Sequence, residues 1–379
     1  MASEIPLFEI SYDHLEIENA IDSIKRGSYW AKGPYVDEFE SALESYLGVE
    51  HAVTVNSGTS ALRCALAAHG IGDGDEVIVP SFTFIATANA VKLAGANPVF
   101  ADIDRETYGL DPDSVESCIG SATEAILPVH CYGGACWIEE LASIGAEHGV
   151  PVIEDAAEAF GATVNGAPLG TIGKTGVLSF CQNKVLATGE GGAVVTDDDT
   201  IAERARLYRS HGRASESYFE DAETGTYVSL GANLRMPDVV AAIGTAQLSK
   251  VESLIEGRRR VAAWYEAELR DVPSVTPHDP PHGTHVYQLF TVTLDDAVDR
   301  ASVVETLAAE GIASKVYWDP PVHRTEYYRR EREESITLAV TEDVASRVLS
   351  LPIHPELSRA AVERIGSTLR QAVTGARFG

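Results

Sequence analysis

Three short polar clusters carry residue types that suit one chemistry. In "LSFCQNKVLATGEGGAVV" (178–195), Lys184 stands between an apolar run and a glycine-rich turn. The chain has seven lysines against 22 arginines, and arginine keeps its charge, whereas a lysine of lowered pKa can form a Schiff base with a carbonyl compound. A lysine beside glycines is also a common solvated loop residue, and at this point both readings stand. In "VIEDAAEAFGA" (152–162), Asp155 leaves an apolar run into a turn of small residues. It either caps a helix or is a buried carboxylate, which must be paired to hold its charge. A protonated pyridine nitrogen is a suitable partner. In "NSGTSAL" (56–62), Ser57 fits a helix N-cap, and the amides of Gly58 and Thr59 could hold a phosphate against the helix dipole. Glycines 189, 191 and 192 would let backbone approach a bulky ligand. Together, a phosphate cradle, a carboxylate for a pyridinium nitrogen and a Schiff-base lysine are the parts that pyridoxal 5′-phosphate (PLP) requires.

The elements that must position these clusters alternate. Apolar strand-like runs at 51–55, 76–80, 97–103, 125–130, 150–155, 176–180 and 192–197 are separated by segments of helical spacing such as "SALRCALAAHG" and "WIEELASIGAEHG". Several of those segments end in a glycine that suits a C-cap. This alternation predicts a mostly parallel sheet of seven strands with helices on both faces. In open sheets of this kind ligands bind beyond the carboxyl ends of the strands, which is where all three clusters fall. After residue 250 the texture changes. A helix expected over Val239 to Arg270 leads into "VTPHDPPHGTH" (275–285), and a strand and two helical segments follow. We therefore expect a large domain over 1–250 and a smaller α+β domain over 251–379.

Composition narrows the function classes. With 57 acidic and 29 basic side chains, the net charge is −28, which disfavours binding to a nucleic-acid backbone. Such self-repulsion fades in molar salt, where the Debye length is about 3 Å, so scarce lysine and acidic excess suit a halophilic setting; a merely acidic mesophilic protein is the other reading. The N-terminal stretch lacks the basic end and apolar run of a signal peptide, and no stretch approaches the roughly 18 apolar residues of a membrane span. The expected location is the cytoplasm, with no membrane partner. Five cysteines without paired CxxC spacing fit neither a disulfide framework nor a zinc site, and no metal is expected. A NAD-binding reading fails for want of a GxGxxG turn after the first strand.

With these pieces in place, the chain resembles the DegT/DnrJ/EryC1/StrS family of PLP-dependent sugar aminotransferases. The likeness is carried by "GPYVDEFESALESYLGVEHAVTVNSGTSAL", "GDEVIVPSFTFIATANAV", "PVFADID", "VIEDAAEAFGA", "SFCQNKVLATGEGGAVVTDD", "GANLRMPDVVAAIGTAQL" and "LPIHPELS", and so covers nearly the whole chain. The resemblance implies the aspartate-aminotransferase fold (PLP fold type I) and a homodimer whose active sites lie between the subunits. It also implies that Lys184 is the lysine that carries PLP and moves protons, and that Asp155 pairs with the pyridine nitrogen. Gly58, Thr59 and Ser179 would bind the phosphate, Phe84 would stack on the ring, and Asn233 would reach the phosphate from the partner subunit.

The implied reaction takes an amino group from L-glutamate and gives it to a nucleotide-linked 4-keto-6-deoxysugar. Glu158, where many members carry Gln or His near the phenolic oxygen of the cofactor, resembles the GDP-perosamine synthase subgroup, whereas "CQNK" departs from that subgroup's usual glycine before the asparagine. His323 in "YWDPPVHRTEYY" and Arg235 in "GANLRM" are candidate substrate contacts, and Arg258–Arg260 could meet a diphosphate or lie on a solvated helix face. A 3-keto nucleotide-sugar aminotransferase and a non-catalytic regulatory relative are the alternatives. A PLP-dependent sugar dehydratase is disfavoured, because its members replace the lysine by histidine.

Overall fold

The computed structural model describes residues 4–214, 225–331 and 335–376. Runs of β-branched and apolar residues form strands β1 (His51–Val55), β2 (Glu76–Pro80), β3 (Asn97–Ala101), β4 (Thr123–Ile126) and β5 (Ile153–Asp155). A short hairpin, β6 (Thr163–Val164) and β7 (Ala167–Pro168), precedes β8 (Thr175–Ser179) and β9 (Gly192–Thr196). The seven longer strands form a four-stranded sheet, β1-β9-β8-β5, and a three-stranded sheet, β3-β2-β4. Isolated parallel bridges, Ile126 to Val152 and Val129 to Asp155, connect the two. Strands β2, β3 and β4 pair in parallel, as do β5 and β8, and β9 is antiparallel to both neighbours. β8 and β9 are buried at every residue, as a sheet covered on both faces requires.

This topology gathers the site. Because β1 and β8 both oppose β9, they run the same way, and β5 runs with β8. Their carboxyl ends therefore face one edge, at Val55, Asp155 and Ser179. Helix Gly58–Ala68 begins just past Val55, with Ser57 as its N-cap. Helix Ala86–Ala94 follows β2 through "SFTF" and closes on Gly95 at φ 95°, a left-handed turn that glycine takes without strain.

The single helix expected over Val239–Arg270 is two helices, Asp238–Ser249 and Val251–Leu269, broken at Lys250 with φ −121° and ψ 8°. The second bridges two cores: Val251 and Ile255 pack against the sheet, whereas Val261, Ala262, Tyr265 and Leu269 join another cluster. That cluster covers the antiparallel strands β10 (Val275–Pro277), β11 (Phe290–Leu294) and β12 (Val348–Leu351) with helices Arg300–Ala309 and Arg359–Gly375. Ile5, near the other end of the chain, is buried in it too and bridges to Ile312. No described helix is long and apolar enough to cross a membrane.

Candidate active site

A cavity of about 440 Å³ opens at the carboxyl edge of the sheet, and its walls include Gly58, Thr59, Phe84, Asp155, Glu158, Ser179 and Lys184. Residues from 58 to 184 thus meet in one place, delivered by strand ends, a helix start and the turns that follow the strands.

Asp155 ends β5 and is buried. Its Oδ2 accepts a hydrogen bond from Thr87 Oγ1 at 2.9 Å, and its Oδ1 accepts one from the Ala157 amide at 3.2 Å. Burial pushes its pKa up, more than Thr87, the Ala157 amide and the charge of Lys184 pull it down. A protonated ring nitrogen would supply the cation that holds this carboxylate ionised in a dry site.

Lys184 is held by a tight turn, in which its own amide donates to Cys181 O, Gln182 N to Gly189 O and Thr188 N to Phe180 O, each at 2.9 Å. Its Nζ lies 3.2 Å from Glu158 Oε1, with side chains only 14% and 11% exposed. This is no solvated loop lysine. The other oxygen of Glu158 accepts from the Tyr132 amide at 3.0 Å, so the glutamate is fixed by one bond and faces the amine with the other oxygen.

The phosphate end is equally local. Ser57 caps its helix, its Oγ accepting from Ser60 N at 3.1 Å. A Cβ at Gly58 would fall 2.8 Å from Ser179 Cβ, so only glycine lets the helix start beside the Ser179 hydroxyl. Two leading amides, the positive end of a helix and a hydroxyl fit a phosphate. Phe84 is 58% exposed on the cavity wall and offers an apolar face to a flat ring. The residues present therefore fit PLP at both ends and along its face.

Several expectations are corrected. Gly191 and Gly192 face Thr188, Met236, Leu178 and Ser57 at close range, and Gly189 takes φ 92° in the turn, so these glycines shape the turn and strand rather than touch the cavity. His323 does not reach the cavity. It is buried, with Nδ1 at 2.6 Å from Ser81 Oγ and Nε2 at 3.1 Å from Glu342 Oε1, so both ring nitrogens are used in joining a connecting segment to the sheet. Arg258 is buried, Arg259 half-buried and Arg260 exposed, and they donate to the carbonyls of Tyr287, His285 and Pro355 respectively, so the three do not share one solvated helix face. Arg235 lines a separate cavity of about 300 Å³ with Lys32, Arg206 and Arg213. Asn233 is exposed and bridges to Ser210, outside the cavity of its own chain.

The structure adds Thr87, Tyr317 and Trp318 to the cavity. Thr87 was open to a sequence reading as a hydroxyl in the first turn of a helix after a strand. Tyr317 and Trp318 come from beyond β11, and their one sequence signal is an aromatic pair before "DPP". Cys181 also lines the cavity; Cys64, Cys131 and Cys136 are buried, and all five cysteines are free.

The chain is similar to known proteins over nearly its whole length. Over 345 residues the chain is 39% identical to the GDP-perosamine synthase of Caulobacter vibrioides, covering 90% of this chain and 91% of that protein. It is 38% identical to the UDP-N-acetyl-3-dehydro-alpha-D-glucosamine 3-aminotransferase of Acidithiobacillus ferrooxidans, covering 95% and 94%. The PLP form of Spr1654 from Streptococcus pneumoniae superimposes with a TM-score of 0.92 at 25% identity, covering 99% of this chain and 100% of that one. The profile of the DegT/DnrJ/EryC1/StrS aminotransferase family matches residues 12–370, and the chain is a PLP-dependent enzyme that belongs to that family.

Proposed function

We propose that this aminotransferase moves an amino group from L-glutamate to the 4-keto carbon of a nucleotide-linked 4-keto-6-deoxysugar, in the manner of a GDP-perosamine synthase. The observation that carries the reading is Glu158 Oε1 facing Lys184 Nζ at 3.2 Å, the placement expected of the glutamate that resembles that subgroup. GDP-perosamine synthases of Caulobacter vibrioides and Vibrio cholerae are among its relatives, at 39% and 36% identity. The 3-aminotransferase relative at 38% supports transfer to a 3-keto carbon as the second reading.

When bound, PLP supplies an electron sink that acidifies the carbon bearing the transferred nitrogen. The protein supplies the rest. Asp155, charged opposite the ring nitrogen, keeps that sink protonated. Gly58, Thr59 and Ser179 anchor the phosphate, and Phe84 holds the ring face, so the reacting carbon is presented to Lys184. With the cofactor bound, Lys184 Nζ would accept a proton from the α carbon of the amino donor in the first half-reaction and deliver one to the sugar's keto carbon in the second, general acid–base work worth about 10²–10⁴-fold. Glu158 Oε1 orients the amine between these transfers. Tyr317 and Trp318 narrow the rim and exclude water from the proton path.

Residues 1–250 would form the cofactor domain and 251–379 the smaller domain. The working unit would be a homodimer in which Asn233 of each chain completes the phosphate site of the other; its exposed position outside its own cavity supports this role. Helix His14–Lys25 supports pairing as well. It turns Glu16 and Ser23 inward, toward Gln247 and Asp238, and leaves Ile17, Ile21 and Ile24 between 42% and 55% exposed. A polar face inward and an apolar stripe outward is the reverse of an ordinary surface helix. The setting we propose is a salt-rich cytoplasm. Incubation with glutamate and a panel of GDP-, UDP- and dTDP-linked 4-keto and 3-keto sugars in high salt, with mass spectrometry of the products, tests the assignment. A product from the 4-keto GDP sugar is expected; amination of the 3-keto sugars alone would overturn it.

A further inference from the structure

Gln288 lies just before β11, in the smaller lobe, and is 2% exposed. Its Nε2 donates to the backbone carbonyl of Asn183 at 2.6 Å, the peptide that leads into Lys184. The orientation of the amide is fixed by this contact, because the reverse orientation would set two carbonyl oxygens against each other. Its Oε1 is buried with no hydrogen-bond donor among the described residues. A buried amide that makes one of its four hydrogen bonds is a poor choice for packing, since an apolar side chain of the same length would fill the space without desolvating a polar group. The donor half is the part that has a purpose.

Gln288 is itself braced from behind. Arg258 Nη1 donates to Tyr287 O at 3.0 Å and to Gln288 O and Ile353 O at 3.4 Å. No carboxylate pairs with this buried guanidinium among the described residues, and burial pushes its pKa down to about 10. On the far side, Gly133 admits the chain closely: a Cβ there would sit 2.8 Å from Gln288 N. Helix Val251–Leu269 and the segment before β11 thus hold one side-chain amide against the turn that carries the lysine.

We infer that Gln288 is a positioning residue, which fixes the peptide entering Lys184 and so sets where the amine stands relative to Asp155 and Glu158. The inference rests on the reading of Lys184 as the cofactor-bearing lysine. Misplacement of a reacting group by about 1 Å can cost on the order of 100-fold in rate, and one hydrogen bond to the peptide next to the lysine controls a displacement of that size.

The test uses the full chain in its cofactor-free and PLP-loaded forms. Gln288→Met keeps the length and apolar bulk but removes the donor. In the cofactor-free protein, hydrogen exchange at the Gln182, Lys184 and Thr188 amides should speed up by about tenfold or more while exchange in β8 and β9 stays unchanged. Affinity for PLP should weaken, and kcat should fall about 10- to 100-fold with the KM for glutamate near its original value. Gln288→Glu should repel Asn183 O when ionised and donate to it when protonated, so its exchange should slow toward wild type as pH falls. Wild-type exchange at those three amides in a folded Gln288→Met protein would overturn the positioning role. Failure of borohydride to fix PLP on Lys184 in the wild type would instead overturn the parent reading.

Discussion

The two ends of the cavity are built in different ways. The cofactor end, around Asp155, Ser179 and Lys184, comes from a 30-residue stretch together with Gly58 and Thr59, and its side chains are aimed by buried strand ends, a helix start and the hydrogen-bonded turn after β8. The rim, around Tyr317 and Trp318, is a segment from beyond β11 that packs on residues following β2 and β4. Trp318 stacks on Tyr132 at 5.4 Å and meets Phe82 edge-on at 5.3 Å. On the function proposed above, the rigid local end would serve the chemistry shared by every substrate, and the rim, which reaches the cavity from a distant segment, would serve selection among substrates. The comparison predicts that damage to the first end removes turnover and damage to the second changes what is turned over.

The largest effect is expected at Lys184. Lys184→Ala should lower turnover by at least about 10²–10⁴-fold while still binding PLP, because the phosphate cradle and Asp155 are untouched; dialysis of the variant against PLP, beside single-turnover assays, checks both parts.

Asp155→Asn should follow, with a signature opposite in sign for stability and activity. The folded pKa of Asp155 is raised by burial above its ordinary value of 3.8. A raised carboxyl favours the folded state at low pH and costs stability as pH rises through the interval above 3.8. In the cofactor-free protein, Asp155→Asn should therefore raise the melting temperature at neutral pH, and the gain should vanish as pH falls toward 3.8. In the loaded enzyme the same change should slow turnover, because the ring nitrogen loses its counter-charge. Calorimetry of both forms across pH separates the two effects, and a variant less stable at neutral pH without cofactor would break the account of this carboxylate.

Trp318→Ala sharpens the comparison at the rim. It should alter KM and the ranking of nucleotide sugars by about tenfold, since aromatic truncations of this kind forfeit about 1–3 kcal/mol, and leave PLP affinity unchanged in equilibrium titration. An equal loss of PLP affinity would erase the distinction between the two ends.

His323→Ala is expected to affect activity least. Removing a buried ring that joins Ser81 to Glu342 leaves partners unsatisfied, at a cost of about 1–3 kcal/mol, yet kcat/KM in the surviving folded protein should stay near wild type. Denaturant unfolding beside steady-state kinetics reads both quantities.

The same contrast explains what the sequence disclosed. β1, β2 and β9 match their expected cores almost residue for residue, because an apolar run bounded by turn residues carries its own signal. Asp155 and Ser179 were legible because strand ends fix them locally, and Lys184 because an apolar run and a glycine-rich turn flank it in the sequence. His323 looked like a substrate contact only while Ser81, some 240 positions away, had no place in space; once folded, its ring is consumed by structure. Arg258 reads as one of three charges on a helix, and burial under the carbonyls of Tyr287 and Ile353 depends on segments that the helix cannot announce. The break at Lys250 was hidden because the residues on both sides form helix readily and no glycine or proline marks it. Asn233 and Arg235 lie outside the cavity walls: Arg235 Nη1 donates to Ser210 Oγ at 3.0 Å, and Asn233 is exposed beside the same serine.

The central claim is that the amine of residue 184 holds the cofactor against the carboxylate of residue 155. Peptide mass mapping after borohydride treatment of the PLP-loaded protein tests it most directly. The account predicts a single modified peptide spanning 182–188 with the cofactor fixed on Lys184, absent in Lys184→Ala. Modification at any of the other six lysines, with Lys184 unmodified, would contradict it.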